Sequence, residues 1–295
     1  MTDATILIPT HRHAAFLPYA VRSALTQEGV DLELFVVGDG VEDETRAALA
    51  PYLDDPRVRF FDFAKGQRHG ERHRHVALAE AVGRIVCYLS DDDLLLPDHV
   101  AEMARLLDDA DFAHSAPASI LDTGELWYAP FDLARPEFAW HMRSGASSIG
   151  LTGAAHTLAA YRRLPYGWRT TPPGYPTDLY TWLQWLDLPG FRGVTSERLT
   201  HLHFPDPFWR RLPVQERVIA LEDWFRRSRE PGFADELHQK LLVAIRRAGE
   251  NERISARKAE LMAEEMIATR TWRLRGRLIR IAPVRALLAR RQTAR

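Results

Sequence analysis

The sequence predicts an α/β fold: an open, mainly parallel sheet with helices on both faces. Three observations predict it. Short apolar runs alternate with amphipathic runs four times within about the first 110 residues. The fourth apolar run, "RIVCYLS", is nearly continuous, as strands buried on both faces are. Polar clusters follow the first, second and fourth runs, where an open parallel sheet collects its ligands.

"ATILIPT" is the first strand, and "AAFLPYAVRSALTQ" carries Phe16, Leu17, Ala20, Val21, Ala24 and Leu25 at helical spacing. "LELFVVGDG" is a strand closing on a glycine turn, and "EDETRAALAPYL" is a helix with acidic residues in its first turn. "VRFFDF" gives a third strand, "ERHRHVALAEAVG" a helix stopping at Gly83, and "RIVCYLS" the fourth strand. "PDHVAEMARLLDDA" then predicts a helix with Pro97 at its first position. From Asp111 to Trp209 the pattern loosens into short strands, many aromatics and the Pro-Gly cluster "RTTPPGYPTD", the composition of a binding face built from loops. From about Val214 the chain turns helical in three segments.

With 46% hydrophobic residues, a chain of 295 residues can bury a sizeable core. Its 39 basic and 40 acidic residues nearly cancel, so the charge balance calls for no nucleic acid. The single cysteine, Cys87, lies in an apolar run and reads as a buried hydrophobe, which excludes an intrachain disulfide or a cysteine zinc site. The first apolar run breaks at Pro9, so no signal peptide is expected, and no apolar stretch reaches the roughly 20 residues that cross a bilayer. These features predict a cytoplasmic protein.

Three clusters belong to one edge of the sheet: Thr10, His11 and Arg12; Asp39 and Gly40; Ser90 to Asp93. The adjacent carboxylates of Asp91, Asp92 and Asp93 repel one another unless a cation shares the site. Magnesium or manganese would relieve that repulsion, held by one or two carboxylates and by substrate phosphates. The alternative is an Asx turn that caps the helix at Pro97.

The segments "TILIPTHR", "ELFVVGDGVEDET", "RHVALAEAVGRIV" and "CYLSDDDLLLPDHV", in that order over about the first 105 residues, resemble the nucleotide-binding half of family 2 glycosyltransferases with the GT-A fold. The resemblance implies a bacterial-type, inverting enzyme with a Mn2+ or Mg2+ cofactor and a nucleotide-sugar donor. It implies that Thr10 and Asp39 hold a uracil or thymine, with Pro9 and Arg12 beside them, and that Arg74 approaches the nucleotide. Gly38 stands where the family has a further Asp, and Ser90 replaces the first acid of its Asp-x-Asp motif. The metal role therefore falls on Asp92, with Asp91 toward the donor and Asp93 in support.

An inverting transfer also needs a general base. Asp178 in "GYPTDLYTWLQWLD" is the candidate, with helix N-cap as its other reading and Asp187 as the competitor. In "HLHF", His203 is the residue that would bring an imidazole to the metal. His156 reads as structural, and the histidines of "GQRHGERHRH" as a phosphate-facing loop without the carboxylates or cysteines of a zinc site.

The expected organisation is a GT-A domain over 1–210, divided into a nucleotide-binding half (1–110) and an acceptor half (111–210), then a helical C-terminal region over 211–295. The final 27 residues, "TRTWRLRGRLIRIAPVRALLARRQTAR", contain nine arginines and no acid. They resemble the tails of bacterial glycosyltransferases that act on lipid-linked glycans. Residues 268–295 are thus expected to meet an anionic membrane at the inner face of the plasma membrane. The alternative is packing on the same domain or on a second subunit, as a homodimer. The predicted function is transfer of a sugar from UDP or dTDP to a glycan or lipid-linked acceptor in surface polysaccharide synthesis. A non-catalytic nucleotide-sugar-binding or assembly subunit is the alternative. A nucleotidyltransferase is disfavoured, because "PTHRHAAF" lacks a glycine-rich loop.

Overall fold

The computed structural model describes residues 2–116, 118–128, 131–146 and 149–268. The strands β1 (Ala4–Thr10), β2 (Leu32–Asp39), β3 (Val58–Phe63) and β4 (Ile85–Tyr88) are parallel and ordered β4-β1-β2-β3. Their side chains alternate between two cores. Leu7, Phe35, Val37, Val86 and Tyr88 face one, and Ile6, Ile8, Leu34, Val36, Ile85 and Cys87 the other. Both faces of β1, β2 and β4 are buried, which is why these strands read as continuous apolar runs, while the edge strand β3 is largely half-buried or exposed.

Helix α1 (Leu17–Leu25) packs Leu17, Ala20, Val21 and Ala24 on the second core, which also takes Val100 and Met103 of α4 (His99–Leu106). Helix α2 (Asp43–Leu49) passes into a 3-10 turn, Ala50–Tyr52, at Pro51, and α3 (Glu71–Leu78) follows β3. One expectation is corrected. Leu94–Leu95 forms a short strand, β5, so the chain turns through 96–98 and α4 begins at His99 with Asp98 as N-cap, leaving Pro97 outside the helix.

Past α4 come strands that the periodicity left vague, three of which extend the sheet while the rest form two-stranded pairs apart from it. These are β6 (Phe112–His114), the hairpin β7 (Ala118–Ile120) and β8 (Leu126–Tyr128), β9 (Ala154–Thr157), β10 (Gly193–Thr195) and β11 (His201–Leu202). Strand β9 inserts antiparallel between β4 and β6, and β10 closes the edge, giving β10-β6-β9-β4-β1-β2-β3. Strand β11 pairs with β5, joining the late chain to the segment just after Asp93.

Between these lie α5 (Pro136–Arg143), α6 (Leu158–Tyr161), α7 (Thr177–Trp182) and a 3-10 turn, Trp185–Asp187. Trp168, Trp182 and Trp185 fill the first core, and two of their indole N–H groups find acceptors: Trp168 on Tyr88 Oη at 2.8 Å, Trp182 on the Ile149 carbonyl at 3.2 Å.

The described part of the chain closes with α8 (Asp206–Trp209), α9 (Val214–Arg227) and α10 (Phe233–Ala268), the last a single helix where two segments were expected. Contacts divide the chain into two compact units, Met1–Ala244 and Ile245–Arg295. Residue 210 is thus a change of secondary structure, while packing continues to Ala244: Leu221, Trp224, Phe225, Phe233, Leu237 and Leu241 join Phe16, Leu94 and Leu202 in a third core. Apart from the backbone of Ala268, the basic segment 268–295 lies outside the described residues. Among those described, no helix is long and apolar enough to cross a membrane.

The cores enclose histidines that cannot easily charge. Burial lowers His99 to about 4, and His114 and His156 to about 3. An unfolded histidine takes its proton near pH 6.5, so between that value and the folded ones the unfolded chain holds more protons. The stability from these three rings is complete above pH 6.5 and is lost as pH falls toward 4. Denaturant titrations between pH 6.5 and 4 should show stability falling as the pH falls. A flat profile over that range would refute the neutral core histidines.

Candidate active site

The carboxyl ends of β1, β2 and β4, the N-termini of α3 and α7 and the loop after β11 line one cleft of about 660 Å3. It gathers Pro9, Thr10, Arg12, Asp39, Arg74, Asp91, Asp92, Asp178 and His203, leaving Asp93 as the one predicted site residue outside the lining. Parallel neighbours bring their ends together by construction, which unites the three clusters that follow the first, second and fourth strands. Several buried polar atoms in this lining have no hydrogen-bond partner among the described residues: Thr10 Oγ1, His11 Nδ1, Arg74 Nε and Nη1, and Asp206 Oδ1. Such atoms are costly unless a ligand or water completes them.

At the end of β2, Asp39 Oδ1 accepts from the Gly66 N–H at 2.6 Å and Oδ2 from Lys65 Nζ at 2.5 Å. Gly70 packs against this carboxylate with φ +63°, where a Cβ would stand 2.4 Å from Asp39 Cγ. Only glycine suits both the backbone angle and the space. Arg12 sits at the rim, its Nε 3.6 Å from Glu42 Oε1.

The three aspartates after β4 divide. Asp91 Oδ1 lies 2.8 Å from His13 Nδ1, and that bond, with the charges of Asp91 and Asp92, raises His13 to about 9 against its burial. Asp92 is raised to about 7 by burial, then by Asp93 and Asp91. Its Oδ2 is 3.9 Å from His13 Nδ1 and 3.7 Å from Arg217 Nη2, a guanidinium of α9 lying over the Phe16 ring at 4.2 Å.

Asp93 is consumed by protein donors. Thr152 Oγ1 donates to it at 2.5 Å and the Phe204 N–H at 2.8 Å, and His203 Nδ1 lies 3.0 Å from its Oδ2. Its place is therefore behind His203, orienting the ring as carboxylates do for metal-bound imidazoles. Burial disfavours a charge on His203, but Asp93, with Asp92 and Asp178, outweighs it and raises the ring above its usual range.

Across the cleft, Asp178 occupies the first turn of α7 and makes no side-chain cap. Burial raises its carboxyl, and Arg74, with Nη1 3.8 Å from Asp178 Oδ1, pulls it back. Arg74 lies over Trp168 at 4.5 Å, and burial lowers its guanidinium against the pull of Asp178 and Glu71. Asp187 leaves the competition for the base: its carboxylate is exposed, pairs with Arg143 at 2.8 Å and does not line the cleft. His156 is buried, with Nε2 2.8 Å from Tyr88 Oη, in keeping with a structural part. The reading of these histidines as one phosphate-facing loop is corrected: His73 and His75 lie on α3, where His73 stacks on Phe63 and His75 meets Tyr161 Oη at 2.8 Å, and of the three His69 lines the cleft.

Among the described residues, His13, Asp91 and Asp92 form the group able to hold a metal, each offering a ligand atom within 4.8 Å of the others. Two carboxylates and an imidazole fit a divalent cation. His13, Lys65, Thr152 and Arg217 escaped the sequence reading. His13 carried the clearest signal, being a further polar residue in the loop that already held Thr10, His11 and Arg12, whereas Arg217 lies on a helix far along the chain.

The family model described as Glycosyl transferase family 2 matches residues 5–167. The Succinoglycan biosynthesis protein ExoO of Rhizobium meliloti is 34% identical over 108 residues, 37% of this chain and 30% of that protein. The match therefore spans under a third of that relative's length. A crystal structure of S. aureus TarS 1-349 in complex with UDP-GlcNAc superposes with TM-score 0.54 at 14% identity, covering 69% of this chain and 58% of the other. Mannosyltransferase PcManGT from Pyrobaculum calidifontis, in complex with GDP-Man and Mn2+, gives 0.50 at 16% identity, covering 93% of this chain and 84% of that one. At such identities the structural likeness shows the fold, which is the GT-A fold that the motif resemblance implied. With its four motif segments in order and the family model spanning more than half its length, this chain belongs to glycosyl transferase family 2.

Proposed function

We propose that the chain is a metal-dependent, inverting glycosyltransferase that moves a sugar from UDP or dTDP to a hydroxyl of a glycan or lipid-linked acceptor in surface polysaccharide synthesis. The observation that carries this reading is one cleft with a carboxylate-imidazole group on one wall and the Asp178 carboxylate at a helix start on the other. A donor bound between them would expose its anomeric carbon to an acceptor hydroxyl held by Asp178.

The hydroxyl oxygen attacks that carbon, its proton passes to the Asp178 carboxylate, and the carbon–oxygen bond to the diphosphate breaks with its electron pair leaving on phosphate. Arg74 favours the ionised form of Asp178 that can take the proton. Asp91 and Asp92 would hold a divalent ion, with His203 of the same cleft as a further ligand, and the ion when bound stabilises charge on the leaving diphosphate. Asp39 would accept from the nucleobase N–H, a carboxylate having lone pairs beyond those used by Gly66 and Lys65. Complexes of related folds with UDP-GlcNAc and with GDP-Man and Mn2+ are consistent with such a donor.

The test is incubation with a panel of nucleotide sugars and manganese, following metal-dependent release of UDP or dTDP. No release from any donor, with Asp92→Ala binding nucleotide as tightly as the parent, overturns both the enzymatic reading and the metal assignment and leaves the binding-subunit alternative. The acceptor surface is proposed to include anionic membrane met by 268–295. Deleting that segment should abolish co-sedimentation with anionic vesicles, and unchanged sedimentation sinks the idea.

A further inference from the structure

We propose that His13 is a ligand of the divalent ion, standing in for the acid that Ser90 replaces; this rests on the metal-dependent reading above. The loop between β1 and α1 brings the ring to the end of β4, with Nδ1 2.8 Å from Asp91 Oδ1 and 3.9 Å from Asp92 Oδ2. Two ligands at right angles, each about 2.1 Å from an ion, are about 3 Å apart, and opposite ones about 4.2 Å. His13 is thus spaced from both carboxylates as a ligand is from its neighbours in one coordination shell, before any ion is bound.

The ring is also held in place. The His13 carbonyl accepts from the N–H groups of Phe16 at 2.9 Å and Leu17 at 3.0 Å, which ties the loop to the first turn of α1. The imidazole meets the Phe16 ring edge-on, with centroids 5.6 Å apart. The other candidates offer less. Ser90 brings no charge, and Asp93 is turned onto Thr152, Phe204 and His203. His13 is the donor already lying against both Asp91 and Asp92.

A nitrogen donor makes the site less suited to magnesium, which favours an all-oxygen shell, and better suited to manganese and later divalent ions. The full chain should therefore bind Mn2+ in the presence of UDP at least about tenfold more tightly than Mg2+. Electron spin-echo spectra of the bound Mn2+ should show nitrogen coupling that changes when the histidines carry heavy nitrogen. In His13→Gln that coupling should change and Mn2+ should bind about tenfold more weakly. His13→Asn serves as a second variant if the first does not fold, and His203→Gln reports separately on that ring. Bound Mn2+ without histidine coupling, or a His13 variant with the parent's spectrum, overturns the assignment while sparing the metal-dependent reading. Failure of the parent to bind Mn2+ at all removes both.

Discussion

Asp178→Asn lowers kcat by about 10²- to 10⁴-fold with nucleotide affinity unchanged, as expected when a general base is neutralised without altering its volume. The amide cannot take the acceptor's proton, but it keeps the size of the carboxylate beside Arg74. Because burial raises the Asp178 carboxyl, removing its charge should also spare the fold and leave melting unaffected or slightly improved. Steady-state kinetics with the best donor from the panel, together with nucleotide binding by calorimetry, separates the two parameters. A kcat within threefold of the parent would strip Asp178 of the role. A large rise in donor Kd with kcat retained would make it a binding residue instead.

Asp92→Asn is the second large effect. Without this carboxylate the ion loses an anionic ligand, and a loss of about 4 kcal/mol in transition-state stabilisation, about 10³-fold in kcat/KM, is expected. Folding should respond in the opposite direction. Burial and the neighbouring Asp93 and Asp91 raise Asp92 to about 7, so the ionised carboxylate opposes the metal-free fold at neutral pH and its amide does not. The variant should therefore melt higher than the parent in chelator while failing in catalysis. The proposed metal role would not survive if the variant turned over at the parent's rate in manganese. If it melted below the parent in chelator, Asp92 would owe its place to packing instead.

Part of this site was legible because parallel strands deliver their loops to one edge. Once "TILIPT", "LELFVVGD" and "RIVCYLS" are read as neighbouring parallel strands, Thr10, Asp39 and the aspartates must meet, whatever the loops do. Asp178 was legible for a weaker reason, an acid at a helix start after a Pro-Gly loop, and that same pattern left Asp187 in contention. The choice between them needed the fold: α7 opens into the cleft, while the 3-10 turn carries Asp187 out to Arg143.

The amino-acid sequence by itself determined the alternation of strand and helix, the buried faces and the edge on which the polar clusters gather, because hydrophobic period and strand direction are local properties. Only the tertiary structure decided how three adjacent aspartates divide their partners. Asp91 went to His13, Asp92 stands near Arg217 of a distant helix, and Asp93 went to Thr152 and His203. The antiparallel entry of β9 beside β4 and the pairing of β11 with β5 bring Thr152 and His203 to that corner. Those contacts join segments far apart in the chain, and each is set by packing that no short stretch of residues encodes.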